Sequence, residues 1–217
     1  NVGSISSASG FSWNSGNVNN DCNSIEASET GARRPNNIYN SFWYNFTTPA
    51  DPFTVAGEKY SEIFIKNEEV SSADNANVAI YKQTGASCSY ANISASPLAS
   101  DWYCFSTDVT INTCVDYGST YYIQNGTFDA SAGQCLPIGD NGESGVYKVT
   151  VSNPSNRDYV RTKRCNALSL GTLNGPGGAV TQTSNKQNNQ CADDGNAGDP
   201  ASFDSDFRKD GWYSFTT

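Results

Sequence analysis

At 217 residues the chain is long enough for one or two domains, each with a buried core. Histidine is absent, which excludes Ser-His-Asp and Cys-His hydrolases, histidine-ligated metals and histidine general bases. A formal net charge of -9 and a pI near 4.4 argue against a nucleic-acid partner, which would need clustered Lys and Arg, and fit a soluble extracellular protein or one that works with divalent cations.

Leucine is scarce, methionine is absent, and no stretch of a dozen residues keeps apolar positions at helical spacing. Short runs of Val, Ile, Tyr, Phe and Thr alternate instead with Gly/Asn/Asp/Ser clusters, which predicts an all-β chain. Residues 1–20 are Ser/Asn/Gly-rich and read as an extended arm, with Phe11 and Trp13 as its large apolar anchors. A first β-sandwich module is expected over 21–153, with strands at 42–48, 60–66, 77–82, 101–106, 109–115, 119–125 and 145–151. Ile63 with Ile65, Val78 with Ile80, Tyr121 with Ile123, and Tyr147 with Val149 and Val151 alternate with polar residues, the pattern of half-buried antiparallel sheets. That many strands separated by turn signals predicts an antiparallel two-sheet sandwich of jelly-roll type. Residues 154–160, opening on Pro154, read as a linker, and 161–217 as the first part of a second module.

The second module is expected because the chain begins one plan twice. Cys22-Asn23-Ser24-Ile25 leads to Trp43-Tyr44-Asn45-Phe46-Thr47-Thr48, and Cys165-Asn166-Ala167-Leu168 leads through a longer, Gly/Asn/Asp-rich spacer to Trp212-Tyr213-Ser214-Phe215-Thr216-Thr217. Repeated plans of this kind mark tandem arrays. The incomplete second copy implies a longer chain or completion by another one, and Trp212, Tyr213 and Phe215 are the candidate assembly edge. Asn1-Val2-Gly3-Ser4 has neither the basic start nor the apolar core of a signal peptide, so a secreted chain is expected to be in processed form here. No apolar run approaches the roughly 18 residues needed to span a bilayer.

None of the cysteines forms a Cys-x-x-Cys pair, and their wide spacing favours disulfides formed in an oxidising compartment. Loop length favours Cys88–Cys104, Cys114–Cys135 and Cys165–Cys191, leaving Cys22 free or bonded to a neighbouring chain; other connectivities stay open. Asp193, Asp194, Asn196 and Asp199 cluster oxygen ligands that calcium favours, although Asp-Gly-Asn runs are more often plain turns and no cofactor is expected. Carboxylate pairs such as Glu62 with Asp101, or Asp140 with Glu143, carry almost no signal, and the chain reads as a non-enzyme. Aromatic doublets (Trp43-Tyr44, Trp102-Tyr103, Tyr121-Tyr122, Trp212-Tyr213) place one ring in a core and its neighbour on the opposite sheet face. Sequons stand at Asn45, Asn92 and Asn125, of consequence only in a glycosylating host.

The Cys165-Asn166-Ala167 opening, the Trp212-Tyr213-Ser214-Phe215-Thr216 strand, Ala79-Ile80-Tyr81 ahead of Cys88, and Gly118-Ser119-Thr120-Tyr121-Tyr122-Ile123 together carry a resemblance. The chain resembles the tandem β-sandwich modules of secreted Bacteroidota surface proteins, similar to pre-peptidase C-terminal and CUB-like domains. The resemblance implies an adhesin or surface appendage exported by the type-nine route, or else a carbohydrate- or protein-binding accessory of a secreted hydrolase. It brings no catalytic residue to carry over. It also implies that the first module lacks the cysteine usually found ahead of its Trp-Tyr strand, leaving Cys22 without the expected partner, while Cys191 retains that position in the second. The expected partners are further copies or modules of the same protein and cell-surface glycans, at the cell surface or in the extracellular medium.

Overall fold

Runs of β-branched and aromatic residues form the strands, in chain order β1 (Gly3–Ser4), β2 (Phe11–Asn14), β3 (Val18–Asn19), β4 (Ile38–Thr47), β5 (Lys59–Ser71), β6 (Asn75–Lys82), β7 (Ala99–Cys104), β8 (Asp108–Asp116), β9 (Thr120–Phe128), β10 (Val146–Asn153), β11 (Asp158–Tyr159), β12 (Leu168–Thr172), β13 (Gln187–Asn188) and β14 (Tyr213–Thr216). The structure, a computed structural model, describes residues 1–5, 10–19, 38–53, 55, 57–71, 75–87, 90–104, 108–128, 146–153, 158–159, 166–172, 187–188, 191 and 211–216. A 3-10 turn lies at Tyr90–Asn92, between β6 and β7. Each of the strands expected between residues 42 and 151 is present, most of them extended by a few residues.

Two sheets pack face to face. One has the order β1-β4-β9-β6-β7, the other β2-β10-β5-β8, with β3 also on β10. Every pairing within them is antiparallel except that of β1 with β4. Leaving aside the two short strands β1 and β3, the remaining strands from β2 to β10 pair as nested hairpins: β2 with β10, β4 with β9, β5 with β8, and β6 with β7. A long hairpin rolled up on itself in this way is a jelly roll.

The alternation seen in the sequence is what buries the core. Ile63, Ile65, Val149 and Val151 of the second sheet meet Val78, Ile80, Tyr121 and Ile123 of the first. Residues 1–5 and 10–19 belong to this sandwich: Phe11 and Trp13 pack on the core, and the Trp13 ring meets Tyr44 edge-on at 5.2 Å. At one end the interior turns polar, where the Asn67 amide donates across the sandwich to the backbone carbonyl of Asn77 at 3.1 Å. Nearby Asn125 is fully buried with neither side-chain atom hydrogen-bonded.

Beyond β10, β11 pairs in parallel with β13, and β12 in parallel with β14. A disulfide from Cys114 on β8 to Cys191 corrects the expected Cys114–Cys135 and Cys165–Cys191 bridges. Spacing along the chain misled because Cys114 lies on the outer face of β8, while Val109, Ile111 and Val115 face inward. β11 lies close to β5, and the bridge holds Cys191, only 5% exposed, on that outer face. The Cys88–Cys104 pair, Cys135, Cys165 and Cys22 lie outside the residues whose side chains are described.

Candidate functional site

Strand alternation gives the first sheet a second, outward face with its own chemistry. On β4 the residues Phe42, Tyr44 and Phe46 turn inward, so Trp43 turns outward; on β9 Tyr121 turns inward and Tyr122 outward. The expectation that each of these doublets splits between core and surface therefore holds. Register then assembles the patch. Trp43 stands opposite Gln124, Gln124 opposite Ala79, and Tyr122 lies between Asn45 and Tyr81.

Tyr81, Ala79 and Ile93 form a small buried cluster on this face, and Trp43 and Tyr122, themselves partly buried, pack against it. The Trp43 and Tyr81 rings lie 5.8 Å apart at 43°. Tyr81 donates its hydroxyl proton to Gln124 Oε1 at 3.2 Å. Tyr122 donates to Gln83 Oε1 at 3.3 Å, and Gln83 Nε2 donates to the Gly85 carbonyl at 2.6 Å. The loop carrying Ile93 is tied back through Ser94 N to the Lys82 carbonyl and Thr84 N to the Asn92 carbonyl. Ring faces flanked by amides whose orientation is already fixed can stack on C–H-rich surfaces and hydrogen-bond to hydroxyls.

The charged groups have a structural part. Asp116, 22% exposed, accepts from Lys59 Nζ and Lys82 Nζ, both at 2.7 Å, and so joins β5 of one sheet to β6 of the other. Burial alone would raise its pKa, but the two ammonium groups outweigh burial and hold it below the usual carboxylate range. Burial also pushes Tyr121, whose hydroxyl accepts from the Asp116 amide, up to about 12. On the outer face of the second sheet Glu68 is held low by Lys148 and Lys66, and Lys66 is held high mainly by Asp108.

Asn166, the second residue of the repeated Cys-Asn opening, clamps the loop ahead of β5. Its amide accepts from Val55 N at 3.2 Å and donates to Val55 O at 2.7 Å and to the buried Glu58 carboxylate at 3.2 Å. The sequence marked Asn166 as part of a repeat signature without showing what it holds.

The other sequence candidates are dispersed. Glu62 is buried on the outer face of the second sheet, where it accepts from Asn112 at 2.8 Å, while Asp101 sits on β7 of the first, so the two form no pair. Asp140, Glu143, Asp193, Asp194, Asn196 and Asp199 lie outside the described residues. Among the described residues no group of His, Cys, Asp or Glu is arranged to hold a metal, and no helix is long and apolar enough to cross a membrane. Burial of Asn125 removes that sequon from reach. At the assembly edge Trp212 is half-buried, whereas Tyr213 and Phe215 are 42% and 58% exposed.

No protein-family model and no sequence among the curated proteins matches the chain. Among solved structures it is similar to PliG of Aeromonas hydrophila, a periplasmic lysozyme inhibitor of g-type lysozyme, at 14% identity and a TM-score of 0.34, over 69% of this chain and 92% of that one. It is also similar to a CBM35 from Paenibacillus barcinonensis at 13% identity and a TM-score of 0.27, over 67% of this chain and 94% of that one. At these scores neither likeness bears on what the chain does.

Proposed function

We propose that the chain is a non-catalytic, extracellular β-sandwich protein of the adhesin or surface-filament kind, in which successive modules of one plan are locked together covalently. The observation that carries this reading is the Cys114–Cys191 bridge, which ties the sandwich to the segment where the plan starts again. Two strand pairings support that restart. Ser4 pairs with Thr47 in parallel, and Thr172 pairs with Thr216 in parallel, each just after a glycine with positive φ, 92° at Gly3 and 89° at Gly171. A disulfide and an amide clamp across one junction resist pulling, which is what a surface-anchored array must do. The disulfide also fits an oxidising, extracytoplasmic setting, and the resemblance to type-nine-exported Bacteroidota modules agrees with it. The test is attachment of the source cells to their substratum in the presence of Fab fragments against this chain. Reduced attachment is expected; unchanged attachment with the Fab bound at the surface would overturn the reading.

A second reading, an accessory module that binds polysaccharide, is favoured by the outward-facing, partly buried Trp43 and Tyr122 set among oriented amides. Quenching of tryptophan fluorescence by one member of a glycan panel, abolished in Trp43→Ala, would decide for it.

A further inference from the structure

The outer face of the first sheet carries a strip of side chains that reach solvent without any charge among them. Tyr44 and Phe46 turn into the core, so Trp43, Asn45 and Thr47 of β4 turn outward. On β9 Tyr121 and Ile123 turn inward, so Thr120 and Tyr122 turn outward. Register sets Asn45 opposite Tyr122 and Thr47 opposite Thr120, and Tyr122 donates across to Gln83, which follows β6. The Thr47 and Thr120 hydroxyl oxygens lie 3.2 Å apart. Thr47 is exposed and the others are partly buried. Lys82, next to Gln83 in the chain, gives its ammonium to Asp116 instead of the strip. The outer face of the second sheet is opposite in kind, since Lys66, Glu68, Asp108 and Lys148 form ion pairs there.

We propose that this strip binds an uncharged polysaccharide. The inference rests on the polysaccharide-binding reading above, and adds the class of glycan and the groups that select it. The chain carries a formal net charge of -9, so an anionic glycan meets repulsion and finds no cationic side chain among the strip's residues to offset it. A neutral chain has no charge to desolvate. Its C–H faces lie on the Trp43 and Tyr122 rings, and its hydroxyls meet the Asn45 and Gln83 carboxamides and the threonine hydroxyls. The relay from Tyr122 through Gln83 to the Gly85 carbonyl fixes two of these groups before binding, so little side-chain freedom is lost. A protein partner fits less well. Interface centres are built on large apolar side chains, and the described ones that stand exposed, Val70, Leu98, Tyr213 and Phe215, all lie off this strip. From β4 across β9 to β6 is about 10 Å at ordinary strand spacing, room for about two sugar rings.

The test is calorimetric titration of the protein with cellohexaose, laminarihexaose, xylohexaose and mannohexaose, and with hexagalacturonate as the anionic counterpart. At least one neutral hexasaccharide is expected to bind with a Kd below about 1 mM, and hexagalacturonate at least about tenfold more weakly. The neutral affinity should hold within about twofold between about 20 and about 500 mM salt, because no charge is screened. Asn45→Ala, its fold checked by circular dichroism, should weaken binding by at least about fivefold, and Lys148→Ala on the other sheet should leave it unchanged. Tighter binding of hexagalacturonate would overturn the neutral class and leave polysaccharide binding standing. Neutral binding insensitive to Asn45→Ala would overturn the assignment to this strip. Absence of binding by every probe at about 10 mM would overturn both the inference and the reading it rests on.

Discussion

Replacing Cys114 and Cys191 together by serine tests how the two parts of the chain are joined. The bridge spans 77 residues of sequence. In the chain-entropy account the closed loop removes about 2.1 cal/mol/K plus 1.5R times the logarithm of its length from the unfolded state, or about 4.5 kcal/mol at room temperature. The shorter loop from Cys114 to Cys135, expected from spacing, would have given only about 3 kcal/mol. Changing both residues avoids stranding a thiol beside a buried neighbour. Urea unfolding of the double variant, followed by tryptophan fluorescence and far-ultraviolet circular dichroism, should show a loss of about 3–5 kcal/mol in a single transition. A loss below about 1 kcal/mol, or a separate early transition that leaves the sandwich midpoint unchanged, would refute the argument. Either would mean that the segment carrying Cys191 does not unfold with the sheet it is bonded to.

Asp116→Asn should cost about 1–2 kcal/mol at neutral pH, discounted for partial exposure, because it strands Lys59 and Lys82. Since the folded carboxylate titrates below its ordinary value, this difference should be complete at pH 7 and fade as pH falls below about 4; a difference independent of pH would contradict it. Phe46→Ala should lose about 3–5 kcal/mol in urea unfolding, and the same change at Phe215 less than about 0.5 kcal/mol. Asn125→Val should raise the urea midpoint, gaining about 1 kcal/mol, because the amide it removes is buried without a hydrogen-bond partner.

Strand-level structure was legible because it is local. Tyr147, Val149 and Val151 announce a half-buried strand by their spacing alone, and β10 is that strand. The division of Trp43 from Tyr44 and of Tyr121 from Tyr122 followed from the same two-residue period. Relations between distant segments were not legible, because no periodicity encodes them. Nothing in the run around Cys114 says that its outer face will meet a cysteine 77 residues later, and preferring short loops chose the wrong partners. Asp116 gave no signal either, since its lysines come from two different sheets.

The duplication shows where residue identity and backbone register part company. Matching Cys22-Asn23 to Cys165-Asn166 by identity forces a long insertion ahead of the second Trp-Tyr strand. Backbone register supports another alignment, in which Gly3 and Gly171 share a left-handed conformation and the residue after each pairs with the first or second Thr-Thr strand. With those glycines superposed and one residue inserted in the second copy after Gly171, Asn19-Asn20-Asp21-Cys22 falls on Asn188-Asn189-Gln190-Cys191, and each cysteine stands at the same distance ahead of its tryptophan. The long insertion shrinks to one residue. Cys165-Asn166 then lies upstream of the restart, which fits its clamp on Val55 and Glu58 of the preceding sandwich. On this alignment the disulfide reaches back to the sandwich from the part of the chain that repeats its opening, whereas the Asn166 clamp is made by the residues between the two.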